Sequence, residues 1–211
     1  MRKFAVLFDL DGTLLDTECQ YSTFWESQCL KYHNDKDIAL QIKGTTLKSI
    51  VTRYFSFDEK VTKQVLEDLY DFESKMTFPF VKGAERFIKE LNDNDIPVAV
   101  VTSSDMNKMR NVFTAHPDFK DLFDVFLMAE DYTESKPSPE CFLVAAERLG
   151  VMPQDCFVFE DSELGIEAGN RAGMTVVGLS TTLPVEFVSS RVKLCIPDFE
   201  NINIEKLMSL K

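Results

Sequence analysis

The feature that most constrains this chain is an alternation of short, almost continuous apolar runs with stretches of helical apolar spacing. The runs fall at residues 3–8, 97–101, 125–128, 156–159, 175–179 and 194–196. Runs this short, apolar on both faces, read as strands buried on both sides. Between them, residues 83–92, 105–115, 138–149 and 162–172 carry apolar side chains at helical intervals. Strands alternating with helices predict an α/β fold with a doubly wound parallel sheet.

One long segment breaks the alternation. Residues 16–78 hold no such run; Phe24 and Leu30, then Leu47, Ile50, Val51 and Tyr54, fall at helical spacing instead. The chain of 211 residues is therefore expected to divide into an α/β catalytic core, 1–15 and 80–211, and an inserted α-helical cap, 16–79. These units of about 145 and about 65 residues are ordinary domain sizes. The insert departs from the carboxyl end of the first strand, the side where ligands bind in open α/β sheets. A cap there is expected to cover the active site, with Phe78, Phe80 and the residues up to Gly83 as its returning linker. No fixed-period repeat or low-complexity linker interrupts either unit.

Charge narrows the partners. The chain has 35 Asp and Glu against 23 Lys and Arg, a net charge of −12, which disfavours nucleic acid and anionic membrane surfaces. The first apolar run follows Arg2 and Lys3 but stops at Asp9, too short for a signal peptide or a membrane span, so a cytoplasmic location is expected. The five cysteines, Cys19, Cys29, Cys141, Cys156 and Cys195, are scattered and read as reduced thiols.

The most informative segment is Phe8-Asp9-Leu10-Asp11-Gly12-Thr13, where a strand delivers two carboxylates into a glycine turn. One carboxylate can attack a phosphorus or carbonyl centre while the other protonates the leaving oxygen and later deprotonates water. The competing reading is that both merely cap a turn before glycine. A second acidic pair, Glu160-Asp161, ends the run at 156–159 and precedes Ser162. Taken alone it could be a helix N-cap. Taken with Asp9 and Asp11 it gathers carboxylates that repel by about 4 kcal/mol per pair at ~4 Å and an effective dielectric near 20. A cation must offset them, and oxygen ligands without His or Cys favour Mg²⁺.

Two further segments suit an anion. Thr102-Ser103-Ser104-Asp105 places hydroxyls and backbone N–H groups where a strand opens into a helix. Lys136-Pro137-Ser138-Pro139 holds one cation ahead of a rigid loop and helix start. Each alone is also what an ordinary helix start or a surface lysine looks like. Neither GxGxxG nor GxxxxGK occurs.

The order Asp9-Leu10-Asp11-Gly12-Thr13, Thr102, Lys136-Pro137, Glu160-Asp161, each at a strand end, resembles the haloacid dehalogenase-like superfamily of phosphotransferases over almost the whole chain. Residues 12–18, 136–142 and 160–162 are similar to its branch with a small helical cap, which includes β-phosphoglucomutase and many small phosphatases. The resemblance implies that Asp9 is the nucleophile forming an aspartyl phosphate and Asp11 the general acid and base. It also implies Mg²⁺ held by the side chains of Asp9 and Asp161 and the backbone carbonyl of Asp11, with Glu160 nearby or one layer out. Thr102, Ser103 and Lys136 would hold the phosphoryl oxygens. A carboxylate at position 11, lacking in the superfamily's dehalogenases, favours phosphoryl transfer, which depends mostly on positioning and charge neutralisation.

Specificity is expected from the cap. Glu18, Tyr21 and Trp25 share one face of its first helix by spacing, and Gly44 and Lys75 join them as expected substrate contacts. Trp25 competes with a role as cap core. Family members with mutase activity carry His where Tyr21 stands and Arg where Leu47 stands. Lys43, Lys48, Arg53 and Lys75 are possible substitutes for that cationic grip, against the reading of solvated helix surface. His33 and His116 are assigned no role, and Gly165, Gly169 and Gly173 are expected to give close packing of a helix on the sheet. Together these readings predict a Mg²⁺-dependent phosphatase acting on a small phosphomonoester, with a sugar phosphate as the expected class. A β-phosphoglucomutase-type mutase is the alternative, and a non-catalytic metabolite-binding protein the further one.

Overall fold

The computed structural model describes residues 4–43 and 45–211. Lys3 of the first run and Gly44 of the expected cap contacts lie outside the described residues. In chain order the elements are β1 (Ala5–Phe8), α1 (Glu18–His33), α2 (Ile38–Ile42), α3 (Leu47–Ile50), α4 (Glu59–Glu73), α5 (Ala84–Asn92), β2 (Val98–Val101), α6 (Met106–Ala115), β3 (Val125–Leu127), α7 (Glu140–Leu149), β4 (Cys156–Glu160), α8 (Glu163–Arg171), β5 (Thr175–Leu179), α9 (Val185–Ser189), β6 (Leu194–Ile196) and α10 (Ile204–Met208). Each apolar run is a strand. The helix expected from residue 138 begins at Glu140, after both prolines.

The six strands form one parallel sheet in the order β3-β2-β1-β4-β5-β6. From β1 the chain winds outward through β2 and β3, then returns to place β4 on the other side of β1 and winds outward again. The reversal therefore lies between β1 and β4, and the crevice beyond their carboxyl ends is where such sheets bind ligands. Asp9 follows β1, and Glu160 is the last residue of β4.

Both faces of the sheet are covered, which explains why the strands lack polar alternation. On one face Phe8 stacks on Phe159 at 5.0 Å and meets Phe87 and Phe199 at 6.2 and 6.0 Å. On the other, Leu7, Ala99 and Val158 pack under Phe142 and Ile166. Each such large side chain contributes about 1.5–3 kcal/mol on burial.

The helical segment has its own core, in which Phe24, Trp25, Cys29, Phe55, Val65 and Leu69 are buried. Val65 and Leu69 stand one turn apart on α4, whose start is capped by Asp58 accepting from the Lys60 N–H at 2.7 Å. Two linkers join this segment to the core, and they pair with each other: Asp16 N–H donates to the Pro79 carbonyl and Val81 N–H to the Leu14 carbonyl, both at 2.8 Å. His116 anchors the returning linker, with its Nε2 2.6 Å from the Phe78 carbonyl.

The three glycines near α8 have different causes, which corrects the expectation of packing alone. Gly169 does pack on the sheet, since a Cβ there would lie 2.8 Å from Val176. At Gly165 a Cβ would collide with the Glu160 carboxylate at 1.7 Å, so this position makes room for an acid. Gly173 has nothing within 4 Å and sits at φ +72°, where the chain turns out of the helix. Among the described residues no helix is long and apolar enough to cross a membrane.

Candidate active site

Four loops at the carboxyl ends of the strands build the site. Asp9 still belongs to the ladder through its backbone, donating its N–H to the Phe159 carbonyl at 3.0 Å, and so its carboxylate is fixed at the strand tip. The chain then turns sharply at Gly12, at φ +73°, where a Cβ would sit 2.2 Å from Asp161 Oδ2. Only glycine allows both the conformation and the approach. Thr13, immediately after, is buried and donates to Asp161 Oδ1 at 3.0 Å.

Lys136 enters from the loop before α7 and is 3 % exposed. Its ammonium donates to Asp9 Oδ1, to Glu160 Oε1 at 2.7 Å and to the Val101 carbonyl at 3.1 Å. All three of its protons are thus used. Burial works against the Lys136 charge, but Asp9 and Glu160 outweigh it and hold its pKa well above the usual lysine range. Glu160 spends its other oxygen on the Asp161 N–H, the Ser162 N–H and the Ser162 hydroxyl, at 2.9 to 3.0 Å. The N-cap of α8 is Ser162, which accepts from Gly165 N–H at 3.1 Å. Neither acid of the Glu160-Asp161 pair is consumed as that cap.

Asp9, Glu160 and Asp161 are buried and can bring one oxygen each within 4.8 Å of the others. Burial pushes the Asp9 carboxyl up to about 7, with Lys136 opposing and Glu160 adding to the rise. Asp161 is raised well above the usual carboxylate range by burial, then by Glu160 and Asp9. Three buried acids against one ammonium leave a demand for positive charge that the protein alone does not meet. Oxygen donors in that number, with Asp161 admitted by the missing Cβ of Gly12, could hold a metal ion.

Asp11 turns away from this cluster. Thr17 donates to its Oδ1 at 2.5 Å, Ser104 to its Oδ2 at 2.9 Å, and Lys108 pairs with Oδ2. Burial alone would raise Asp11, but Lys108 and these bonds win and lower it. Thr102 is buried and fixes its loop by accepting the Ser104 N–H at 3.0 Å. Thr102 and Ser103 line the cleft beside the two aspartates.

Residues of the helical segment line the other side of the cleft, and Thr46 meets Ser135, the neighbour of Lys136, at 3.2 Å. Glu18, Tyr21 and Trp25 all line the cleft. Trp25 is also cap core, 6 % exposed and stacked on Phe55 at 6.0 Å. Lys43 lines the cleft as well, paired with Glu18 at 3.0 Å. Lys75 is a correction: it stands on an exposed turn, bound to Asp71 four residues back, and does not line the cleft. Lys48 and Arg53 are likewise exposed and do not line it.

Several residues were missed. Lys108 and Glu73 line the cleft, and among the described residues Lys108 and Lys136 are the buried cations. Tyr21 donates to Glu73 Oε1 at 2.8 Å. Burial raises Glu73 to about 7. Thr181 donates to the Gly12 carbonyl at 2.5 Å, and Thr182 donates to Asp161 Oδ2. The hydroxyl run Ser180-Thr181-Thr182 directly after a strand was a readable signal for this last pair.

The model of the haloacid dehalogenase-like hydrolases matches residues 6–179. A bifunctional riboflavin kinase/FMN phosphatase of Arabidopsis thaliana is 32% identical over 83% of this chain, which spans 48% of that longer relative. A fructose-1-phosphate phosphatase of Escherichia coli is 30% identical, with 83% of this chain and 96% of the relative covered. The crystal structure of a β-phosphoglucomutase from Clostridium difficile superposes with a TM-score of 0.80 at 25% identity, covering 99% of this chain and 96% of that one.

Proposed function

This chain belongs to the haloacid dehalogenase-like hydrolase family and is a phosphatase of that family, and from that premise we propose that it hydrolyses a small sugar phosphate through an aspartyl phosphate on Asp9. The observation that carries this reading is the pairing of two differently held carboxylates at one strand tip. Asp9 is clamped by Lys136 beside Glu160 and Asp161, while Asp11 is held separately by Thr17, Ser104 and Lys108. Environments that differ this much suit different tasks.

In the first step an Asp9 oxygen forms a bond to phosphorus as the ester oxygen leaves, taking a proton from Asp11. In the second, Asp11 removes a proton from water, whose oxygen attacks phosphorus, and the Asp9 acyl phosphate bond breaks to release phosphate. Thr102 and Ser103 orient the phosphoryl oxygens, and Lys136 joins them by giving up its contact with the Val101 carbonyl. Asp9 and Asp161, with the Asp11 carbonyl, would hold Mg²⁺, which when bound supplies positive charge against the equatorial oxygens. Glu160 orients this set through Lys136 and the Asp161 N–H.

The fructose-1-phosphate phosphatase supports a sugar phosphate as substrate class. The free thiols of all five cysteines support a reducing compartment, the cytoplasm. The decisive experiment is a panel of sugar and polyol phosphates assayed for phosphate release with Mg²⁺, alongside Asp9→Asn. A folded Asp9→Asn protein is expected to lose activity by more than about 10³-fold; substantial residual turnover would rule out the assigned nucleophile. The likeness to a β-phosphoglucomutase favours one second reading, a mutase. Isomerised hexose phosphate without free phosphate, from β-glucose 1-phosphate plus a bisphosphate primer, would support it.

A further inference from the structure

Thr181 and Thr182 stand in the loop between β5 and α9, and the steps above leave both without a task. The loop is fastened by contacts that do not involve either hydroxyl. Ser180 donates its N–H to the Ile196 carbonyl at 2.9 Å, and Leu183 packs against the buried face that holds Phe142 and Ile166, just ahead of Pro184 at the start of α9. From this loop the two hydroxyls reach into the site. Thr181 donates to the Gly12 carbonyl at 2.5 Å, in the turn after β1. Thr182 donates to Asp161 Oδ2, just past the end of β4. The other oxygen of Asp161 accepts from Thr13 at 3.0 Å, the residue that follows Gly12. Asp161 is buried, yet the buried lysines pair with other acids, Lys108 with Asp11 and Lys136 with Asp9 and Glu160.

We propose that Thr182 is the positioning residue that aims the Asp161 carboxylate at Mg²⁺. A carboxylate held through one oxygen can still rotate about its last bond; one hydroxyl on each oxygen fixes its plane. A carboxylate has about four lone-pair sites, so after Thr13 and Thr182 have taken one on each oxygen a site remains on both for a cation. A hydroxyl orients the group without adding positive charge, and the demand of the acidic cluster for a metal is left intact. The loop after β5, which supplies no ligand, thereby ties the ends of β1 and β4 into one geometry, through Thr181 on the first and Thr182 on the second.

The inference rests on the reading of Asp161 as a Mg²⁺ ligand, and its test separates the two. Mg²⁺ is titrated into the chelator-treated protein by calorimetry, with the unfolding temperature of the same metal-free sample recorded alongside. Thr182→Val, which keeps the side-chain shape and removes the hydroxyl, should weaken Mg²⁺ binding by about 10- to 100-fold, the usual cost of losing a group that orients a metal ligand. Its metal-free unfolding temperature should stay within about 4 °C of wild type, because Ser180 and Leu183 still hold the loop. Thr182→Ser, which keeps the hydroxyl, should bind Mg²⁺ within about 3-fold of wild type. Thr182→Ala, the second variant without the hydroxyl, should match Thr182→Val in affinity. Wild-type affinity in Thr182→Val, or equal losses in Thr182→Val and Thr182→Ser, would overturn the proposal. If both variants without the hydroxyl are more strongly destabilised in the metal-free state, their weaker binding reflects a structural role and the proposal falls. A wild-type protein that binds no Mg²⁺ would overturn the metal assignment itself, and the proposal with it.

Discussion

The Lys136 ammonium lies 2.7 Å from Glu160 Oε1, with the two side chains 1 % and 0 % exposed, so the loop before α7 is fastened to the end of β4 by an ion pair with no access to water. Removing one member of such a pair leaves the other buried and uncompensated, at a cost of about 3–5 kcal/mol. Lys136→Met should therefore destabilise the metal-free protein by about 3 kcal/mol in urea unfolding as well as abolish turnover. A variant that loses activity at wild-type stability would mean that the pair contributes little to the fold.

The demand of Asp9, Glu160 and Asp161 for positive charge predicts that Mg²⁺ stabilises the folded protein. At a concentration about 100 times its dissociation constant the gain is about 2.7 kcal/mol, read as a rise in unfolding temperature. Asp161→Asn should remove most of that rise. Because Asn still accepts from one of Thr13 and Thr182, which bond the two Asp161 oxygens, and its amide N–H can donate to the hydroxyl of the other, the metal-free fold should survive. An unchanged Mg²⁺ response in this variant would exclude Asp161 as a ligand.

Glu73 gives a pH dependence whose sign follows from its burial. Its pKa rises from the ordinary 4.5 to about 7 on folding, so the folded state holds a proton that the unfolded state releases. The protein is then most stable below about 4.5 with respect to this group, and loses stability as pH rises from there through about 7. The total is on the order of 3 kcal/mol at most. Glu73→Gln should flatten that part of the curve and be the more stable protein at pH 8. Parallel unfolding temperatures for the two proteins between pH 4.5 and 8 would contradict it.

Charge in the cleft predicts discrimination against a second phosphate. The cations that line it among the described residues, Lys43 and Lys108, are already paired with Glu18 and Asp11, and Glu73 adds negative charge. A hexose bisphosphate should be hydrolysed with kcat/KM at least about 10-fold below that of the monophosphate, since one unpaired buried charge costs more than 1.4 kcal/mol. A bisphosphate that is the better substrate would point to the mutase reading.

The strands were legible because burial on both faces leaves a continuous apolar run, as at Val98–Val101, that no helix of that length would need. Asp9 was legible because it follows such a run directly, and Asp161 because it stands two residues after one. Lys108 and Glu73 were not. On a helix either reads as solvated surface, and only the packing of α4 and α1 over α6, many residues apart in the chain, buries them. Trp25 was ambiguous for a related reason: at the edge of the cap core, one ring is both packed by Phe55 and open to the cleft. The pattern on a single helix cannot distinguish the two sides of that ring.

The paired linkers carry a consequence for how such a protein can diversify. Where the helical segment departs and where it returns, the backbones are hydrogen-bonded neighbours, Asp16 with Pro79 and Leu14 with Val81. An insertion whose ends already touch imposes no span on the sheet beneath it, so its length and sequence can change without moving a strand. Asp9, Lys136 and Asp161 all lie outside that insertion. These strand-end residues can therefore stay in place while the helical segment between the paired linkers is replaced as a cassette.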